Sequence, residues 1–311
     1  MAAPTTVGAV PMGPPVEDAP PPPPRVAGGG VRVLAGVPFA GLPGLRPLEL
    51  DLWLPPTDTA CPAVVFLHGG GFRVGSRRSA GPMYAGISPS PFEVIARSGV
   101  AVAGVDYRLS GEATFPAQLH DVKAAVRWLR ARAGELGIDP ARIAAWGESA
   151  GGNLALQLGL TAGDAALEGT VGVAGDSRVT AVVAWYAPVD LTAVATDSGA
   201  DPMDPDSREA QLLGAPVAAV PELAAAASPI SHVSSDAPPV LLLHGRADRL
   251  ISCRQSERMH QALVDAGADA ELHLYDDADH VWLGAPEAAA DAVQRTLSFL
   301  HRQLDPHPDP K

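Results

Sequence analysis

Between Arg142 and Leu160 a short apolar run, Ile143-Ala144-Ala145-Trp146, meets Gly147-Glu148-Ser149-Ala150-Gly151-Gly152 and continues as a stretch of small and apolar residues. A chain that changes from strand to helix within three residues must turn sharply, and only small neighbours let the helix close on the strand. The segment therefore predicts a strand over Arg142 to Trp146, a helix over Ala150 to Leu160, and Ser149 held at the bend between them.

The remaining pattern agrees with that reading. Leu48, Leu50, Leu52 and Leu54 alternate with Glu49, Asp51 and Trp53, the period of a half-buried strand. Ala63 to Leu67 and Val100 to Val105 are continuous apolar runs, as expected of central strands covered on both faces. Val179 to Trp185, Val240 to Leu243 and Ala270 to Leu274 continue the strand series. Helices are expected at Pro91 to Ser98, Asp121 to Ala133, Ser256 to Ala266 and Pro286 to Leu304. Such alternation predicts an α/β fold, a mostly parallel sheet with helices on both faces.

Two stretches break the rhythm. Residues 1–30 carry the proline run Pro20 to Pro24 and Gly28-Gly29-Gly30 with few large apolar side chains, so they are expected to form a disordered or polyproline tail. A single α/β domain is expected over 31–305, with a flexible tail at 306–311. Within it, residues 191–233 form a long connection rich in Asp, Pro and Ala, with a short helix at Ser207 to Leu213. Connections of this length are often lids, and a partial cap is expected here; a surface helix pair without substrate contact is the plainer alternative.

Composition excludes several functions. A formal charge of −13 argues against nucleic acid and against anionic membranes, because phosphate binding needs clustered Lys and Arg. No run of eighteen apolar residues is present, and the N-terminus lacks the order of a signal peptide, so a cytoplasmic location is the default expectation. Cys61 and Cys253 fit no metal or redox spacing and read as buried structural thiols; no metal and no cofactor are expected. Oligomeric state is not readable.

His68-Gly69-Gly70-Gly71-Phe72 follows the strand Ala63 to Leu67. Glycines there let backbone N–H groups approach a carbonyl oxygen on which charge develops, so Gly70 and Gly71 are expected oxyanion donors, with Ala150 a third. His68 is expected to orient the loop. Ser149 is the expected nucleophile. It needs a base, and the base an orienting acid, in the chain order Ser, Asp, His. Asp248 lies in the loop after the strand ending at Leu243, and His280 lies in the loop after the next strand. Functional groups of open α/β sheets gather at that edge. His244 reads as a supporting group. Asp277 and Asp279 read as a solvated acidic loop, and His120, His260, His301 and His307 as surface histidines. Phe72, Tyr186 and Trp282 are candidates to line an apolar substrate pocket, as are Tyr107 and Trp146; Arg73 is an exposed cation near its mouth.

His68 to Phe72, Asp106-Tyr107-Arg108-Leu109, Phe115-Pro116-Ala117-Gln118 leading to Asp121, Gly147 to Asn153 and His244-Gly245-Arg246-Ala247-Asp248 together resemble the α/β-hydrolase esterases of the hormone-sensitive-lipase-like group. The nearer likeness is to the carboxylesterase or feruloyl-esterase-like branch, which also holds kynurenine formamidase relatives. The likeness runs from about residue 46 to 304. It implies a sheet of about eight strands, cofactor-free hydrolysis of a small-molecule carboxylic ester, Ser149, Asp248 and His280 as triad, and Gly70, Gly71 and Ala150 as oxyanion hole. Many such enzymes use N-terminal helices in a cap, where this chain has its proline-rich segment. Short to medium acyl chains are the expected substrates. An amidase or arylformamidase, an acyltransferase, and a non-catalytic binding protein on the same scaffold are the alternatives.

Overall fold

A computed structural model describes residues 15–305 of the chain. One nine-stranded sheet organises them: β1 (Arg25–Val26), β2 (Arg32–Ala40), β3 (Leu48–Leu54), β4 (Cys61–Leu67), β5 (Ala101–Val105), β6 (Ile138–Glu148), β7 (Val182–Trp185), β8 (Val240–Gly245) and β9 (Ala270–Tyr275). Their order across the sheet is β1-β2-β3-β5-β4-β6-β7-β8-β9. From β5 to β9 all neighbours are parallel, while β1, β2 and β3 pair antiparallel at one edge.

The helices are α1 (Pro91–Arg97), α2 (Ala117–Ala131), α3 (Ala133–Leu136), α4 (Ala150–Leu160), α5 (Ala165–Glu168), α6 (Leu191–Ser198), α7 (Arg208–Leu213), α8 (Pro221–Ala226), α9 (Arg254–Asp265) and α10 (Pro286–Leu304). The central strands divide their side chains by parity. Val65 and Leu67 join the core under α2, α4 and α9, with Val126, Leu154 and Leu263. Val64 and Phe66 face the opposite core under α1 and α10, with Phe92, Trp146 and Phe299. Burial on both faces is why these runs read as unbroken hydrophobicity. No described helix is long and apolar enough to cross a membrane.

The sheet's nine strands agree with the sheet of about eight that the resemblance implies, and β1 and β2 lie outside the seven strands read from sequence. β2 escapes pattern reading since its pairing with β3 shifts register twice, between Leu34 and Val37 and between Pro38 and Ala40, which destroys the period of two. Residues 15–30 are not a free tail. The backbone carbonyl of Glu17 accepts from Trp128 Nε1 at 3.0 Å and from Arg132 at 3.0 Å, and Arg25–Val26 pair with β2. A buried indole N–H lacks a donor-satisfying partner on its own helix, and the proline-rich segment supplies one. Residues 1–14 and 306–311 lie outside the described residues. Finally, Cys61 is buried but Cys253 only half so; both are free thiols.

Candidate active site

Each candidate group stands where a parallel strand ends. Ser149 follows β6, Asp248 follows β8, His280 follows β9, and the glycine loop follows β4. Parallel strands all end at the same edge, so residues up to 212 positions apart in sequence share one cleft.

The bend at Ser149 has φ 51° and ψ −118°, a region that costs a non-glycine residue free energy and is kept only when surroundings over-determine it. Here Ser149 N donates to Trp185 O at 2.8 Å and Asn153 N to Ser149 O at 3.1 Å. Gly151 is required at its place: a Cβ there would lie 2.0 Å from Leu67 O. Asn153 ties the helix to its surroundings, donating to Pro188 O at 2.9 Å and Ala227 O at 3.3 Å.

Ser149 Oγ lies 3.0 Å from His280 Nε2, and His280 Nδ1 lies 2.6 Å from Asp248 Oδ2. All three are buried or nearly so. Asp248 also accepts from Leu250 N at 2.9 Å and Ile251 N at 2.8 Å, and His244 Nε2 lies 3.2 Å from its Oδ2. Burial alone would raise the Asp248 pKa, but hydrogen bonds from His244 and His280 outweigh it and hold the carboxyl well below the usual carboxylate range. An ionised Asp248 fixes the Nδ1–H tautomer of His280, which leaves Nε2 as the acceptor facing Ser149. Asp279, read as part of a solvated acidic loop, instead accepts from Arg249 N at 3.0 Å and His280 N at 2.7 Å, locking the two loops together.

Opposite Ser149 runs the glycine loop. Gly70, Gly71 and Ala150 line the same cavity as Ser149 and His280, and their backbone N–H groups have no acceptor among the described residues. His68 stacks on Tyr107 with centroids 4.4 Å apart, donates from Nδ1 to Gly69 O at 2.7 Å, and its own carbonyl accepts from Tyr107 OH at 2.8 Å. Burial pushes the His68 pKa down, so it is a neutral prop for the loop. The Arg77 guanidinium braces the loop from behind, pairing with Asp51 at 2.6 Å, Glu49 at 2.8 Å and Asp106.

One important residue was not read from sequence as a working group. Glu148 is buried beside Ser149, accepting from Tyr186 OH at 2.6 Å and Gly69 N at 3.2 Å. Burial pushes its pKa up, while these two hydrogen bonds counter the rise. Its signal was in view, a carboxylate inside an otherwise small-residue motif, but nothing in sequence says which way it points. Arg208 and Glu209 on α7 also line the cavity, and no local signal could have found them.

The cavity measures about 460 Å³. Phe72 lines it; Tyr186 and Trp282 do not. Tyr186 is buried with its ring edge-on to His280, 4.9 Å between centroids, and Trp282 packs behind it at 4.8 Å. The positive φ of Val281 (55°) and Trp282 (63°) swings the indole inward and leaves Val281 on the cavity wall. Tyr107 and Trp146 are core as well. His120 is half-buried rather than superficial, its ring packed beneath Gly169.

A mostly parallel sheet with a serine elbow, an acid and a histidine in that chain order, and a glycine loop after β4 define an α/β-hydrolase. Residues 50–263 match the family described as BD-FAE, and the chain belongs to it. Among curated relatives, it is 34% identical over 83% of its length to Esterase LipQ and 32% identical over 82% to the probable carboxylic ester hydrolase LipM, both of Mycobacterium tuberculosis. The matches cover 61% and 59% of those proteins, so the chain spans about three fifths of their length. Among solved structures it resembles a truncated carbohydrate esterase from gut microbiota, with TM-score 0.75 and 29% identity over 87% of this chain and 95% of that one.

Proposed function

We propose that the chain is a serine hydrolase of carboxylic esters with short to medium acyl groups. The observation that carries this reading is the hydrogen-bonded series Ser149–His280–Asp248 facing three unengaged backbone N–H groups in one cavity. Ser149 Oγ attacks the ester carbonyl while His280 Nε2 takes its proton, and Asp248 stabilises the imidazolium. The tetrahedral oxyanion rests on the N–H groups of Gly70, Gly71 and Ala150. Protonated His280 then gives its proton to the leaving alcohol, and water cleaves the acyl-enzyme by the same route. Glu148 serves this scheme by holding Gly69 and Tyr186, and residues 191–233 act as a partial cap through α7. The ester-hydrolase names of the relatives support the reaction class.

A cavity of about 460 Å³ stands in the lower half of the roughly 300–1,000 Å³ range of small-molecule pockets, which favours small esters. Ser149→Ala is expected to remove p-nitrophenyl ester hydrolysis and fluorophosphonate labelling while the melting temperature stays near that of the parent. Retained turnover would refute the assignment of the nucleophile. In a p-nitrophenyl series, fastest turnover on long acyl chains would refute the size preference alone.

A further inference from the structure

One wall of the catalytic cavity carries charged groups that the reaction scheme leaves idle. Arg208 and Glu209, the first two residues of α7, line the cavity that holds Ser149 and His280. Both also line a neighbouring cavity of about 280 Å³, which shares Leu250 and Ile251 with the first. The Arg208 stem lies directly on the oxyanion loop. A Cβ at Gly71 would come within 2.3 Å of Arg208 Cδ, and Gly71 has φ 61°, so a glycine there is what lets α7 rest on the loop.

The two side chains are only lightly engaged. Among the described residues the exposed Arg208 guanidinium makes no hydrogen bond or ion pair, and the half-buried Glu209 carboxyl has its own backbone N–H and the attraction of the neighbouring Arg208 charge. Burial pushes the Glu209 pKa up, the mark of a carboxylate short of donors. A group of this kind gains from whatever donor a ligand brings to it. Around the second cavity, Asp201 and Asp204 are bound to amides of their own loop at 2.8 and 2.9 Å, while Asp206 and Arg73 are exposed at the rim. The surroundings are thus acidic on balance and unfavourable to an anion.

The position of the second cavity says which part of a substrate it would meet. Leu250 and Ile251 follow Asp248 and hold its carboxylate, on whose other side sits His280, the group that hands a proton to the departing alcohol. We propose that the cleft beneath α7 is a subsite for the alcohol portion of the ester, and that Glu209 selects alcohols bearing a hydrogen-bond donor, a hydroxyl or a protonated amine. Arg208 completes it for a hydroxyl by donating to the same oxygen. This proposal rests on the serine-esterase reading.

The test compares esters matched in size. Hydroxyalkyl acetates of two to four carbons are set against alkyl acetates of equal heavy-atom count, and 2-(dimethylammonio)ethyl acetate against 3-methylbutyl acetate. The donor-bearing member is expected to show about tenfold higher kcat/KM in at least one pair, as for one charge-assisted hydrogen bond. Glu209→Leu should bring that ratio close to one, with Glu209→Gln as a second variant of nearly the same shape. A preference confined to the hydroxyalkyl pair identifies a neutral ligand, and one confined to the ammonium pair a cation. Ester turnover with no preference in the parent, or a preference that survives Glu209→Leu, overturns the subsite and leaves the esterase reading standing. No turnover of any ester overturns both.

Discussion

At the scale of single residues, the candidate site depends on groups that hold other groups in place. Asp248 receives four donors, and with them it can remain ionised in a buried position. Asp248→Asn keeps the shape but loses the charge that sets the His280 tautomer. Its kcat is expected to fall on the order of 10⁴-fold, measured on p-nitrophenyl acetate; a loss of only a few fold would count against the triad. His68 gives a pH prediction. Its ordinary pKa of 6.5 is lowered by burial, so below 6.5 the unfolded chain takes a proton that the folded one refuses. Stability therefore falls as pH drops through that value and levels off once the folded His68 titrates too. Urea titrations from about pH 7 to about pH 5 should show a shallower decline for His68→Gln than for the parent, and identical slopes would contradict it.

At the scale of elements, the motif residues outside the triad act as ties between strand ends and helices. Arg108, after β5, forms a two-pronged pair with Asp121 on α2, with Nη2 to Oδ1 at 2.7 Å and Nε to Oδ2 at 2.8 Å. Asp121 is fully buried, so its charge depends on that partner. Breaking such a pair from one side leaves a buried charge, and Arg108→Met should cost about 3–5 kcal/mol in chemical unfolding. A loss under about 1 kcal/mol would show the pair to be ornamental. α1 has both halves of its capping box, Ser90 and Glu93, and its limits agree with sequence to within one residue. α2 begins at Ala117 rather than Asp121, because Pro116 precedes the first turn and Gln118 and Leu119 are buried there.

For the whole molecule, the surprise is the proline-rich segment, which serves the core from outside. Its carbonyls at Glu17 and Ala19 meet Trp128 on α2 and Arg132 just after it. Deleting residues 1–24 is expected to lower Tm by a few degrees while leaving kcat/KM on p-nitrophenyl acetate unchanged, and an unaltered Tm would show those contacts to be idle. This segment also marks where sequence reasoning stops. Its composition predicts that it buries little apolar surface of its own, but says nothing of a neighbour short of an acceptor. Much of the rest was legible. Central strands, the elbow, the glycine loop and the order Ser149, Asp248, His280 follow from local rules, since strand burial, turn strain and backbone approach each leave a signature within a few residues. Other features were settled only by packing in three dimensions. Tyr186 and Trp282 turn away from the cavity, Glu148 couples loop to elbow, Arg208 rests on the glycine loop, and Glu209 lines the same cavity. A side chain's direction at a chain bend depends on what packs against it, and those partners come from strands and helices far away in sequence.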